Sequence, residues 1–184
     1  TNDAPTVANA VADQSTAEDA ALSYQIPANT FADVDTGDTL TLAATLANGD
    51  PLPGWLSFNP ETRMFSGTPD NDEVGSIDVK VTATDSAGTP LSVSDTFTLT
   101  VTNTNDAPTG TVSATLVSGT EDTAYVVSAS DLLQGFSDVD GDTLSVSGLS
   151  SSSGTVVDNS NGTYTVDPAS NYNGQITLSY DVID

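Results

Sequence analysis

Cysteine and histidine are both absent from this sequence. Their absence excludes disulfides, thiolate or imidazole metal sites, and every nucleophilic triad that depends on a histidine base. Basic residues are nearly absent as well: Arg63 and Lys80 stand against 26 acidic residues, for a formal net charge of −24. Nucleic acid and anionic membranes are therefore poor partners, and cations are natural ones. No apolar run approaches the roughly 20 residues of a transmembrane helix, so direct membrane insertion is not expected. The first residues lack the basic start of a signal peptide, and the chain is expected to be an internal excerpt of a longer protein.

What is present is repetition. The hexapeptide TNDAPT opens the chain and returns at Thr104 to Thr109, an offset of 103 residues from Asn2 to Asn105. Glu18-Asp19 and Glu121-Asp122 share that offset, and FADVDTGDTL from Phe31 has a counterpart in FSDVDGDTL from Phe136. A period of this size is that of one small domain, so the length divides into two domains, 1–103 and 104–184.

Thr, Ser, Asp, Gly and β-branched residues dominate, and no stretch has apolar residues at helical spacing. Ile77, Val79, Val81 and Ala83 alternate with polar residues, the pattern of a strand with one buried face. Phe97, Leu99 and Val101 continue the theme, and Ile176, Leu178, Tyr180 and Val182 form the matching strand of the second unit. Shorter strands are marked by Leu144/Val146, Val156 and Tyr164/Val166, and Asn161-Gly162 is a hairpin turn that also spells a glycosylation sequon. The expectation is an all-β chain of two tandem immunoglobulin/cadherin-like β-sandwiches. The second stops at Asp184, the position corresponding to Asp85, and so is expected to lack its closing strand. The exposed edge of 176–182 should then favour homo-association by strand addition.

The run NTNDAP from Asn103 to Pro108 resembles a degenerate cadherin linker, and DVDTG from Asp33 and DVDGD from Asp138 resemble the cadherin Asp-x-Asp element. Asp70-Asn71-Asp72, with Asp85 15 residues beyond Asp70, resembles that family's Asp-Arg-Glu and later x-Asp-x elements. LPGWLSFNPETRMFSGTP, Leu52 to Pro69, resembles the signature of dystroglycan-type cadherin-like domains. The second unit, with GTYTVDPASNYNG and SYDVID, resembles the bacterial cadherin-like repeats of large surface adhesins.

The resemblance implies calcium, which takes six to eight oxygen ligands and suits a sequence with no softer donors. It would place Glu18, Asp70 and Asp72 of the first domain with Asn103, Asn105 and Asp106 of the linker and Asp138, Asp140 and Asp184 of the second in one ligand set at the seam. A second set, Asn2, Asp3, Asp33, Asp35 and Asp85, would be half of a preceding seam. An isolated Asp is commonly a turn cap, and an acidic surface can serve solubility alone; clustering at corresponding positions of two repeats favours the cation. DVDGD is not an EF-hand, because Gly141 falls at the fourth position and Leu149 stands where a bidentate Glu is required.

Catalysis is not expected, since the paired carboxylates fall on repeated positions rather than in an apolar pocket. Trp55 could stack on a sugar, but it lies within the family signature and is read as a packing residue. The resulting expectation is a calcium-binding, non-enzymatic module of an extracellular, cell-surface or secreted bacterial adhesin, working beside neighbouring repeats of the same chain and open to a surface glycan or protein ligand. The alternative is a carbohydrate-binding module of a secreted polysaccharide-degrading enzyme.

Overall fold

The computed structural model describes residues 1–184, which form two units, Thr1–Thr104 and Asn105–Asp184. In the first, β1 (Thr6–Val7), β2 (Gln14–Ala17), β3 (Leu22–Gln25), β4 (Phe31–Ala32), β5 (Thr41–Leu46), β6 (Leu56–Asn59), β7 (Met64–Gly67), β8 (Gly75–Thr84) and β9 (Ser92–Thr102) follow in chain order, with a 3-10 turn at Asn71–Glu73. One sheet runs β2-β9-β8-β5, a second β3-β7-β6, and β1 pairs with β4. β8 and β9 pair antiparallel over ten residues, Gly75 against Val101 through Thr84 against Ser92. β2 joins the far side of β9 in parallel, Gln14 against Leu99 to Ala17 against Thr102.

The alternation of β8 and β9 turns Val79, Val81, Ala83, Phe97, Leu99 and Val101 inward, where all are buried. Thr and Ser fill the outer positions and bond across strands, as Thr82 with Ser94 at 2.9 Å and Ser76 with Thr100 at 3.0 Å. The opposing sheet contributes Phe65, whose ring meets Phe97 edge-on at 5.7 Å and Phe58 at 4.6 Å. Burial of each such ring is worth roughly 1.5–3 kcal/mol, and this aromatic line is the centre of the core. Trp55 is half-buried and packs against it. At Gly67 a Cβ would lie 1.9 Å from the Trp55 carbonyl oxygen, so only glycine lets the Trp55 backbone approach β7.

The second unit repeats the plan with fewer strands: β10 (Thr109–Gly110), β11 (Tyr125–Ser128), α1 (Ala129–Leu132), β12 (Phe136–Ser137), β13 (Ser145–Ser151), β14 (Thr155–Asp158), β15 (Thr163–Asp167) and β16 (Leu178–Ile183). The order is β11-β15-β14 in one sheet and β13-β16 in another, with β10 against β12. Asn161 acts in the β14–β15 turn, where its side-chain oxygen accepts from the Thr163 amide at 3.1 Å and hydroxyl at 2.7 Å. The helical turn α1 was not legible in the sequence. Ser128 caps it by accepting from the Asp131 amide at 3.1 Å, and it delivers Leu132 to a core whose other fully buried members are Val127 and Val166. Ile176 and Leu144, expected within strands, lie just outside β16 and β13. Nothing in this unit corresponds to β9, so β16 pairs with β13 alone where β8 is flanked on both sides.

Candidate metal centre

In the first unit the acidic residues gather where β8 ends. The Asp85 carboxylate is buried; it accepts from the Ala87 and Leu91 amides at 3.2 Å, which folds the loop leading to β9, and from Asn2 Nδ2 at 3.1 Å. Asn2 Nδ2 also donates to the Thr89 carbonyl at 3.0 Å. The loop after β4 turns back on itself because Asp33 Oδ1 accepts from the Asp35 amide at 2.9 Å, and Asp35 Oδ2 then accepts from the Asp3 amide at 2.6 Å. Asn2, Asp3, Asp33, Asp35 and Asp85 are thus drawn into one network.

The second unit reproduces three of these bonds. Asn105 Nδ2 donates to Asp184 Oδ2 at 2.8 Å, the Asp106 amide to Asp140 Oδ2 at 2.7 Å, and the Asp140 amide to Asp138 Oδ1 at 2.9 Å. In both networks one oxygen of the first aspartate, Asp33 Oδ2 or Asp138 Oδ2, is buried with no hydrogen-bond partner, and in the first unit so is Asn2 Oδ1. A desolvated carboxylate oxygen without a partner is costly. A hard cation among these oxygens would satisfy it, so the donor set fits calcium.

Two residues not singled out from the sequence complete the geometry. Carboxylate oxygens of Asp33, Asp35 and Asp38 lie within 4.8 Å of one another, and so do those of Asp138, Asp140 and Asp142. Asp38 and Asp142 are the third aspartates of DVDTGD and DVDGD; the repetition of that third acid in both units was the signal for them. Ser86 Oγ donates to Asp38 Oδ1 at 3.3 Å.

At the other end of the first unit, Glu18 is 2 % exposed. Its Oε1 accepts from the Thr104 amide at 2.5 Å, while Oε2 is buried and unpartnered. The neighbouring Asp19 amide donates to the Pro69 carbonyl at 2.8 Å, which brings the start of the 3-10 turn to Glu18. There Asp70 acts as a cap: its side chain accepts from the Asp72 amide at 3.0 Å, and Glu73 Oε2 accepts from the Asp70 amide at 3.1 Å. The side-chain hydrogen bond with Asp70 raises the Glu73 carboxyl above its ordinary value. Asn103 is exposed just beyond β9. Because β8 and β9 run the length of the sandwich, Glu18, Asp70 and Asp72 are separated from the Asp33 network by about 30 Å of strand.

Residues 4–102 match the family model for a putative Ig domain, and residues 104–184 match that for a cadherin-like domain. The chain belongs to the putative Ig domain family, and its second unit is similar to the cadherin-like domain. Among solved structures, the chain is similar to extracellular cadherin domains 1–4 of protocadherin gamma B7, with 18% identity and a TM-score of 0.56 over 97% of the chain and 48% of that structure. It is also similar to domains 22–24 of mouse cadherin-23, with 21% identity and a TM-score of 0.54 over 92% of the chain and 56% of that structure. An endo-fucoidan hydrolase of glycoside hydrolase family 107 aligns with 98% of the chain at 18% identity, but the TM-score of 0.41 carries no argument. The chain spans about half the length of these cadherin structures and 28% of the hydrolase. Comparison with curated protein sequences returns no match.

Proposed function

We propose that this chain is a calcium-binding, non-enzymatic module of a large secreted bacterial surface protein, in which it extends and stiffens the polypeptide and contributes to adhesion. The observation that carries the reading is the recurrence, in two units of different sequence, of the same three hydrogen bonds around a buried, unpartnered aspartate oxygen. Turn capping explains one such loop; it does not explain why both networks leave the same oxygen desolvated and gather three carboxylates around it. Asn2, Asp33, Asp35, Asp38 and Asp85 would hold an ion in the first unit, and Asn105, Asp138, Asp140, Asp142 and Asp184 in the second. Glu18, with its own orphaned oxygen, is proposed as a further ligand, together with Asp70 and Asp72. Bound calcium supplies positive charge that cross-bridges carboxylates which otherwise repel. The chain's own part is to fix the loops: Asp85 braces the strand connection, and the Asp-x-Asp turns aim their oxygens inward.

The carbohydrate-binding alternative rests on an exposed aromatic platform, and Trp55 instead packs against the core. Calorimetric titration of the chelated chain with calcium tests the proposal. Heat of binding that is lost in Asp33→Asn for one site and in Asp138→Asn for another is the expected result; a titration with no heat and no change in stability would refute it.

A further inference from the structure

The first unit carries a notch of about 260 Å³ where the loop into β6 faces the start of β8, smaller than the roughly 300–1,000 Å³ of ordinary small-molecule sites. It follows from the strand register. The inward pairs of β8 and β9 include Val79 with Phe97 and Ile77 with Leu99, and the next pair in that series is Gly75 with Val101. Gly75 thus leaves the inward position of β8 without a side chain. A Cβ there would meet nothing within 4 Å, and its φ of +134° is one that residues other than glycine rarely adopt. The space left is lined by Leu99 and Val101, both buried, and by the half-buried Ile77 and Trp55. Asp72 and Glu73 of the 3-10 turn line it too, and no lysine or arginine does. Glu73 is fixed in advance, because its Oε2 accepts from the Asp70 amide at 3.1 Å. Ser76 is turned to the outer face, where it bonds Thr100 at 3.0 Å.

We infer that this notch receives an arginine side chain of a partner polypeptide. Three features of the lining select it. The apolar interior accepts the aliphatic stem. Trp55 carries the indole, the side chain that best holds a cation over its ring. The Asp72 and Glu73 carboxylates are acceptors only, so they call for donors and positive charge, which a guanidinium presents in a planar fork. A sugar hydroxyl, which both donates and accepts, is matched less well by such a rim. Lysine brings the charge but is more strongly hydrated and has no plane to stack. The two basic residues of residues 1–184 are committed elsewhere: Arg63 donates from Nε to the Ile26 carbonyl at 3.3 Å, and Lys80 points outward from the middle of β8. A net charge of −24 attracts a basic partner and repels a second copy of this chain. Asp72 is also among the proposed calcium ligands, so the test is made in chelator, where the inference stands or falls apart from that reading.

A capped peptide with arginine between two pairs of glycines is titrated into the whole chain at about 0.15 M salt. Binding is read by calorimetry and by the fluorescence of Trp55, the only tryptophan. Saturable binding is expected, weakened about tenfold or more when citrulline, the uncharged isostere, replaces the arginine. Trp55→Leu, read by calorimetry, should weaken it about two- to thirtyfold. Asp72→Asn combined with Glu73→Gln should weaken it about two- to tenfold. That double variant keeps a side-chain oxygen for the Asp70 amide and removes only two of 26 acidic residues, so its loss is local rather than a matter of net charge. Equal binding of the citrulline peptide, equal binding by the double variant, or no saturation up to about 10 mM peptide would overturn the inference. So would binding of a methyl glycoside without binding of the peptide, which would make a sugar the occupant.

Discussion

Replacing Asp38 with Asn should change the sign of its effect with calcium. The substitution removes one of three carboxylates whose oxygens lie within 4.8 Å, yet keeps a side-chain oxygen to accept from Ser86 Oγ. Two unit charges at 4.8 Å repel by about 3 kcal/mol at an effective dielectric of 20 and by about 1 kcal/mol in water. Asp33, Asp35 and Asp38 are all half-buried, so screening brings the relief from removing two such repulsions to on the order of 1–2 kcal/mol. In chelator, Asp38→Asn should raise the melting temperature of the first unit by roughly 4–15 °C, since a domain of this size shifts about 4–8 °C per kcal/mol. At about 10 mM calcium, an ion bound with the affinity usual for extracellular modules stabilises the wild type by roughly 1.5–3 kcal/mol. The variant forfeits part of that, so its advantage should vanish or reverse. Trp55 is the only tryptophan and lies in the first unit, so its fluorescence follows this unit alone through a melt. A shift of the same sign and size with and without calcium would refute the reasoning, because the three carboxylates would then share no ion.

Magnesium at the same concentration should stabilise less than calcium, because its small octahedral shell tolerates irregular oxygen sets poorly; matched melts in the two salts check this. Phe97→Ala should cost about 3–5 kcal/mol in the first unit, since it empties the centre of the aromatic line, and denaturant titration followed by Trp55 fluorescence reads it. Gly67→Ala should destabilise the same unit by about 1–3 kcal/mol or more, as its Cβ cannot coexist with the Trp55 carbonyl; an unchanged denaturation midpoint would show that the β6–β7 approach relaxes freely.

The long strands were legible because a buried face imposes period two, and Val79, Val81 and Ala83 face one way whatever surrounds them. The repeat offset was legible for the same reason that the networks coincide: Asn2 and Asp3 do in one unit what Asn105 and Asp106 do in the other. Convergence of these residues depends on long-range pairing, which only the repetition made visible in a single chain. The turn α1 was hidden because four residues are too few to show a helical period, and its stability comes from the Ser128 cap and the packing of Leu132. Asp38 and Asp142 do not stand out in the sequence because the Asp-x-Asp pair alone accounts for the turn; the third carboxylate is brought in by the fold of the loop. Ile176 alternates correctly with Leu178 yet lies outside β16, because a strand needs a ladder partner as well as a pattern.

The parallel ladder between β2 and β9 has a mechanical consequence. β2 is entered from the amino terminus of the first unit and β9 leaves toward its carboxyl end. Because the two run parallel, tension along the chain pulls them in opposite directions along their common axis. The backbone bonds from Gln14 against Leu99 to Ala17 against Thr102 are then loaded together in shear, and must fail nearly at once rather than open one after another. Resistance to force is a matter of unfolding rate, not of equilibrium stability. The first unit is therefore built as a tension clamp.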